Sequence, residues 1–164
     1  MTALHLLVGT ITFIAMEGVA WWAHKYLMHG PMWWFHRDHH QRENGFFERN
    51  DVFALIFAIP SWLCIMLGMM ADNYINVSIG AGIAAYGLAY LFVHDIFIHQ
   101  RVKWMKTTRH PYFYAIRREH YKHHTHVERH DGECFGMLWV RPSQVQAAKK
   151  RLERKGNTPQ AAAE

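Results

Sequence analysis

Cysteine is scarce in this chain. There are two, Cys64 and Cys134, and neither sits in a CxxC spacing. That excludes a disulfide framework and a zinc–thiolate site, and leaves two reduced thiols. Charge is scarce as well: Asp, Glu, Lys and Arg make up 19% of the residues against 51% hydrophobic ones, and the charges avoid a few long apolar runs. The first run, Leu4 to Ala23, holds His5 and Glu17 but no Lys or Arg. Lacking a positive n-region and a small-residue cleavage site, it does not read as a secretory signal. It reads as a retained span of about bilayer length. The formal charge of +5 could by itself mean nucleic acid, anionic lipid or an acidic protein partner. Seven Trp, ten Phe and seven Tyr beside the apolar runs favour lipid and argue against nucleic acid.

Three spans are expected, at about residues 4–23, 52–71 and 74–98. Gly30-Pro31 ends the first helix, and Asp72-Asn73 turns between the second and third. Pro60 lies inside the second span, where neighbouring helices can satisfy the carbonyl it frees. The third span carries Gly80, Gly82, Ala84, Ala85 and Gly87, small residues that let membrane helices approach closely. The fold class is therefore all-α: an integral membrane helical bundle with a histidine-rich helical cap. A single domain over 1–143 and a charged tail over 144–164, a short helix fraying into disorder, are expected. Three spans place segments 30–51 and 99–164 on one face. Lys and Arg crowd that face, including Arg101, Lys103, Lys106, Arg109, Arg117, Arg118 and Lys122. The N-terminus and the Asp72-Asn73 turn have none. By the positive-inside rule the basic face is cytoplasmic, in the inner membrane.

What the chain has in excess is histidine, 14 residues against 13 Asp and Glu. Ten of them form four groups: His24 and His29; His36, His39 and His40; His94 and His99; His120, His123 and His124. The order HxxxxH, HxxHH, HxxxxH, HxxHH is one pattern played twice. On a helix, the three histidines of HxxHH fall within an arc of about 100° and converge on one side. The five-apart pairs diverge by about 140° on a straight α-helix. They need a helix end, a π-bulge or two different metals to act together. All ten lie on the basic face or at its membrane edge. Ten imidazoles are too many for one ion, and a structural zinc takes four. Shared by two ions they give about five each, which leaves a position open on six-coordinate iron. Asp38, Asp95, Glu119 and Asp131 are the candidates to orient ring N–H groups. His5, His110, His126 and His130 read as interfacial polar residues. The aromatics Trp21, Trp22, Trp33, Trp34 and Phe35 read as an interfacial belt rather than a substrate box. Glu17 is either a helix–helix contact or part of a substrate path.

The strings HKYLMHG (24–30), HRDHH (36–40), NDVFALIFAIPS (50–61), HDIFIHQR (94–101) and HYKHHTH (120–126) resemble the fatty acid hydroxylase superfamily of membrane di-iron enzymes. Within it the likeness, over about residues 10–141, is to the short bacterial enzymes that hydroxylate carotenoid β-rings. The resemblance implies two Fe ions, which Zn can replace in recombinant protein, held by the ten motif histidines. It implies O2 as oxidant, reduced ferredoxin as electron donor and β-carotene or a related carotenoid as substrate. Hydroxylation at C3 of each ring would yield β-cryptoxanthin and then zeaxanthin. A carotenoid ketolase, fatty acyl hydroxylase or sterol desaturase is the alternative within enzymes. A membrane metal transporter is disfavoured, because its ligands belong near the bilayer midplane.

Overall fold

A computed structural model describes residues 2–41, 47–103, 107–125 and 135–157. All the regular structure among them is helical. Helix α1 (Ala3–Trp22) runs into a π-helical turn, Ala23–Met28. Helix α2 (Trp33–His40) follows the Gly30-Pro31 break. A 3-10 turn, Arg49–Asp51, leads into α3 (Val52–Met70), and α4 (Tyr74–Tyr90) returns antiparallel to it. A second π turn, Leu91–Ile98, continues α4. Helices α5 (Pro111–Thr125) and α6 (Pro142–Asn157) complete the order.

Three of these are long and apolar enough to cross a membrane: Ala3–Met28, Arg49–Met70 and Tyr74–Ile98. In lipid no water satisfies backbone groups, so a continuous helix is the economical solution. The turn between α3 and α4 is the expected one. Asp72 takes a φ of 52°, a left-handed conformation that Asp tolerates better than branched residues. Close packing comes from the small residues. A Cβ on Gly80 would meet the Ser61 carbonyl oxygen at 2.6 Å, and one on Gly82 would meet that of Gly9 at 2.5 Å. Ser61 Oγ donates to the Gly80 carbonyl at 2.7 Å, so α3 and α4 are tied as well as packed.

The helices α2 and α5 and both π turns gather at one end of this bundle. Helix α5 rests on the second π turn through a core of Phe97, Ile98, Ala115 and Ile116, and α6 rests on α5. The short helix expected at the start of the charged C-terminal segment is α6. It begins at Pro142, and its Ala148 is fully buried in that core. Its helical spacing from Val145 puts both on the one apolar stripe that an otherwise basic helix possesses.

Candidate metal centre

The five-apart pairs are explained by the π turns. The His29 amide donates to the His24 carbonyl at 3.1 Å, and the His99 amide to the His94 carbonyl at 2.9 Å. An i→i+5 bond makes residues five apart neighbours on successive turns, as an i→i+4 bond does for residues four apart. Both pairs thus present their rings to the same side. The two HxxHH motifs lie in α2 and α5, as expected.

Nine of the ten motif histidines fall into two groups whose ring nitrogens converge. One holds His24, His29, His36, His40 and His123; the other holds His39, His99, His120 and His124. His94 stands beside the second group, its ring 4.6 Å from that of His39, 4.5 Å from His99 and 4.9 Å from His120. The two groups follow the repeated order of the histidine motifs. Each HxxHH sends its first and third histidine to one group and its middle histidine across to the other. His40 and His124 stack at 4.4 Å where the groups meet. Among the described residues no carboxylate belongs to either group.

The contacts within each group are nitrogen to nitrogen. His36 Nε2 lies 3.0 Å from His24 Nε2 and 3.2 Å from His40 Nε2. His29 and His123 approach at 3.1 Å; His120 Nε2 lies 2.9 Å from both His99 and His124. Imidazoles at about 2.1 Å from a shared ion and at right angles to one another would be about 3.0 Å apart. The donor set and its spacing fit a metal ion in each group. Outward nitrogens meet acceptors that settle the tautomer. His24 Nδ1 donates to the Phe135 carbonyl at 3.0 Å, His36 Nδ1 to Asn50 Oδ1 at 2.7 Å, His39 Nδ1 to Glu48 at 3.0 Å and His94 Nδ1 to Asp95 at 2.6 Å. With the proton held on Nδ1, Nε2 points inward with its lone pair.

Of the four carboxylates expected in this orienting role, Asp95 fills it. Asp38 instead accepts the backbone and side-chain N–H groups of Arg49, which fixes the chain leading to Asn50. Glu119 is fully buried against Lys122, Arg118 and Gln144 and reaches no histidine ring. Asp131, like His126 and His130, lies outside the described residues. Glu48, Asn50 and the Phe135 carbonyl were not expected. Only Asn50 had a signal, its place in the string beginning at residue 50. His5 sits far from the groups, against Tyr74, and His110 lies against Phe113. The aromatic belt divides: Trp21, Trp22 and Trp34 are exposed, whereas Trp33 covers the first group, its ring 5.4 Å from His29 and 5.5 Å from His40.

Burial is the dominant charge effect. It holds His39, His40 and His120 well below the usual imidazole range, with neighbouring histidines lowering them further. His124 is lowered to about 4, His36 to about 3 despite the opposing bond from Asn50, and His123 to about 2. These six imidazoles are therefore neutral at pH 7, the state metal binding needs. A stability prediction follows for the metal-free protein. Unfolded histidines take up protons near pH 6.5, while the folded ones do so only at these lower values. Below about pH 6.5 the unfolded state binds more protons, so stability falls as pH falls. Thermal unfolding in detergent should show a flat midpoint above about pH 7, declining from pH 6.5 to pH 4. A midpoint unchanged across that interval would contradict the buried neutral cluster.

The first group adjoins a cavity of about 510 Å³. His24, Asn50, Asp51 and Asp95 line its upper end; below them it is walled by apolar residues such as Phe57, Ile65 and Ile83. From Phe53 to Ile65 it follows α3 for about 18 Å. Ala54 and Ala58 of α3 and Gly87 and Leu88 of α4 line it and are also exposed, so it opens sideways between those helices.

Residues 9–140 match the model of the fatty acid hydroxylase family. A beta-carotene hydroxylase of Pantoea ananas is 39% identical over 86% of this chain and 81% of its own length. One of Pseudescherichia vulneris is 37% identical over 93% of this chain and 86% of its own. A chloroplastic beta-carotene 3-hydroxylase of Arabidopsis thaliana is 33% identical over 86% of this chain, which spans 47% of that longer protein. No solved structure matches the chain.

Proposed function

This chain belongs to the fatty acid hydroxylase family, and on that footing we propose that it is a membrane-bound β-carotene 3-hydroxylase. One observation carries the reading: two all-imidazole groups stand at the head of an apolar cavity that opens between helices of membrane-spanning length. The five histidines of the first group would hold one iron, and His39, His94, His99, His120 and His124 the other. With iron bound, the centre supplies O2-dependent C–H hydroxylation, one oxygen entering the substrate and the other leaving as water, with electrons from a ferredoxin-type donor.

The chain's own residues position and exclude. Asn50, Glu48, Asp95 and the Phe135 carbonyl keep each Nε2 turned inward before any ion arrives, which lowers the ordering cost of binding. The apolar walls hold a β-ring by shape and keep bulk water from the reacting end. A full-length carotenoid is longer than the cavity, so one ring would lie at the histidines while the rest of the polyene leaves through the side opening into lipid. Each ring would then be processed in a separate binding event, with β-cryptoxanthin released between them. The basic residues at the histidine end support a cytoplasmic, inner-membrane orientation. The test is chromatography of pigments from bacteria engineered to make β-carotene. Zeaxanthin is expected with the gene, preceded by transient β-cryptoxanthin, and none with a His36→Ala/His123→Ala variant. Unchanged β-carotene beside metal-loaded protein and a working electron donor would refute the carotenoid reading.

A further inference from the structure

Glu17 is a carboxylate on a membrane-spanning helix, and such a residue calls for a named partner. Here the partners are on the segment Phe135–Val140, between α5 and α6. The amides of Leu138 and Trp139 both donate to Glu17 Oε1 at 3.0 Å, and the Leu138 amide also reaches Oε2 at 3.1 Å. The Tyr86 hydroxyl of α4 donates to Oε2 at 2.7 Å. Gly136 leaves the room this requires, since a Cβ there would stand 2.6 Å from Glu17 Oε1. On its other side the Leu138 carbonyl accepts from the Tyr112 hydroxyl of α5. The segment is non-helical backbone at the edge of the apolar bundle. It would be costly there unless its polar groups were satisfied by protein.

The same segment touches the first histidine group. Phe135 and Met137 are almost fully buried and line the cavity. The Phe135 carbonyl fixes the His24 tautomer, and its ring lies 5.4 Å from those of His24 and His29 and 4.9 Å from that of His123. None of its described contacts is with the second group. We propose that Glu17 is a positioning residue: it latches Phe135–Val140 against α1, and through Phe135 it holds the His24 group, and not the other, in metal-binding geometry.

This inference rests on the reading of the two histidine groups as two metal sites, and its test separates the two. Wild type, Glu17→Gln and Tyr86→Phe are purified in detergent, and iron or zinc content and amide hydrogen exchange are measured. In Glu17→Gln the NH2 that replaces one carboxylate oxygen can face the Tyr86 hydroxyl but no longer accepts from the Leu138 amide, and the bonds that remain lose their charge assistance, so the latch loosens. Exchange at Leu138 and Trp139 should rise about tenfold, as expected for losing one hydrogen bond. Metal content should fall from two ions toward one. Adding His36→Ala should lower it no further, whereas adding His120→Ala should remove the second ion. Tyr86→Phe leaves both amides accepted and should keep two ions. Gly136→Ala displaces the carboxylate without altering its chemistry and should reproduce the Glu17→Gln result if that variant is not recovered. Two ions with unchanged exchange in Glu17→Gln would overturn the latch; so would joint loss of both ions in Glu17→Gln and Gly136→Ala, which marks a merely structural role. Wild-type protein that binds no metal would instead sink the site reading, with the exchange data still reporting on the latch.

Discussion

Removing His36 and His39 together is expected to empty both metal positions, although the two residues are three apart on one helix. Removing His39 and His120 together, which lie on different helices, is expected to empty only one. The crossing of the middle histidine of each HxxHH makes this so. His36 joins His24, His29, His40 and His123, whereas His39 joins His99, His120 and His124. Residues that act on one ion are not additive, since the second substitution removes what the first has already cost. Residues on different ions add. Each single alanine variant should therefore lose about one ion and lower hydroxylation by at least about a hundredfold, as loss of a preorganised group commonly does. The double variant His39→Ala/His120→Ala should resemble either single variant in metal content. His36→Ala/His39→Ala should hold no metal. Metal analysis of purified protein checks this without reference to the substrate. Equal losses in all the doubles would mean that the ten histidines form one shared cluster.

That assignment shows how far a sequence can carry the site and where it stops. The ten histidines are legible because their spacing repeats and their sides of the membrane agree. Their division is not, because 36, 39 and 40 share one arc of α2, and which edge of the arc meets which neighbour depends on where α5 docks. The five-apart pairs were legible as a difficulty: a straight α-helix would separate them. The π turns at Ala23–Met28 and Leu91–Ile98 resolve it, and no residue there announces a π-helix. The orienting groups were the least legible. A carboxylate one residue from a histidine, such as Asp95, is easy to nominate. Glu48 reaches His39 only because the chain after α2 folds back, and Phe135 acts through a carbonyl, which every residue possesses. The spans were legible because length and hydropathy set them directly. Helix α6 was legible as a short helix, but its packing on α5 was not, because its buried stripe is narrow and its charges dominate any average.

The side opening yields the second large effect, and it turns on one glycine. Helices α3 and α4 form an antiparallel pair whose register is fixed where they touch. Gly68 faces Val77, and Ser61 faces Gly80. Continued toward the histidine end, that register sets Ala58 opposite Ala84 and Ala54 opposite Gly87. Small residues lie on both helices throughout, yet they do two different things. At Gly80 a Cβ would strike the neighbouring backbone, so the glycine permits contact. At Gly87 a Cβ would meet nothing within 4 Å, so no neighbour requires a glycine there. What borders it is the mouth of the cavity, with Leu88 and Leu91 beside it and Ala54 and Ala58 across on α3. If a polyene leaves the cavity by this slot, a large side chain at 87 stands in its path. Gly87→Trp should keep normal membrane insertion, thermal midpoint and metal content, because it adds bulk to empty space. It should lower kcat/KM for β-carotene roughly a hundredfold, the scale of loss when a substrate is held out of reach of its reacting groups. Gly87→Ala should be near wild type and Gly87→Leu intermediate, an order set by volume. Gly80→Leu is the contrasting variant: it should lose stability before it loses specificity, since α3 and α4 can no longer close. Full activity in Gly87→Trp would place the substrate's exit elsewhere, even with the histidine centre intact.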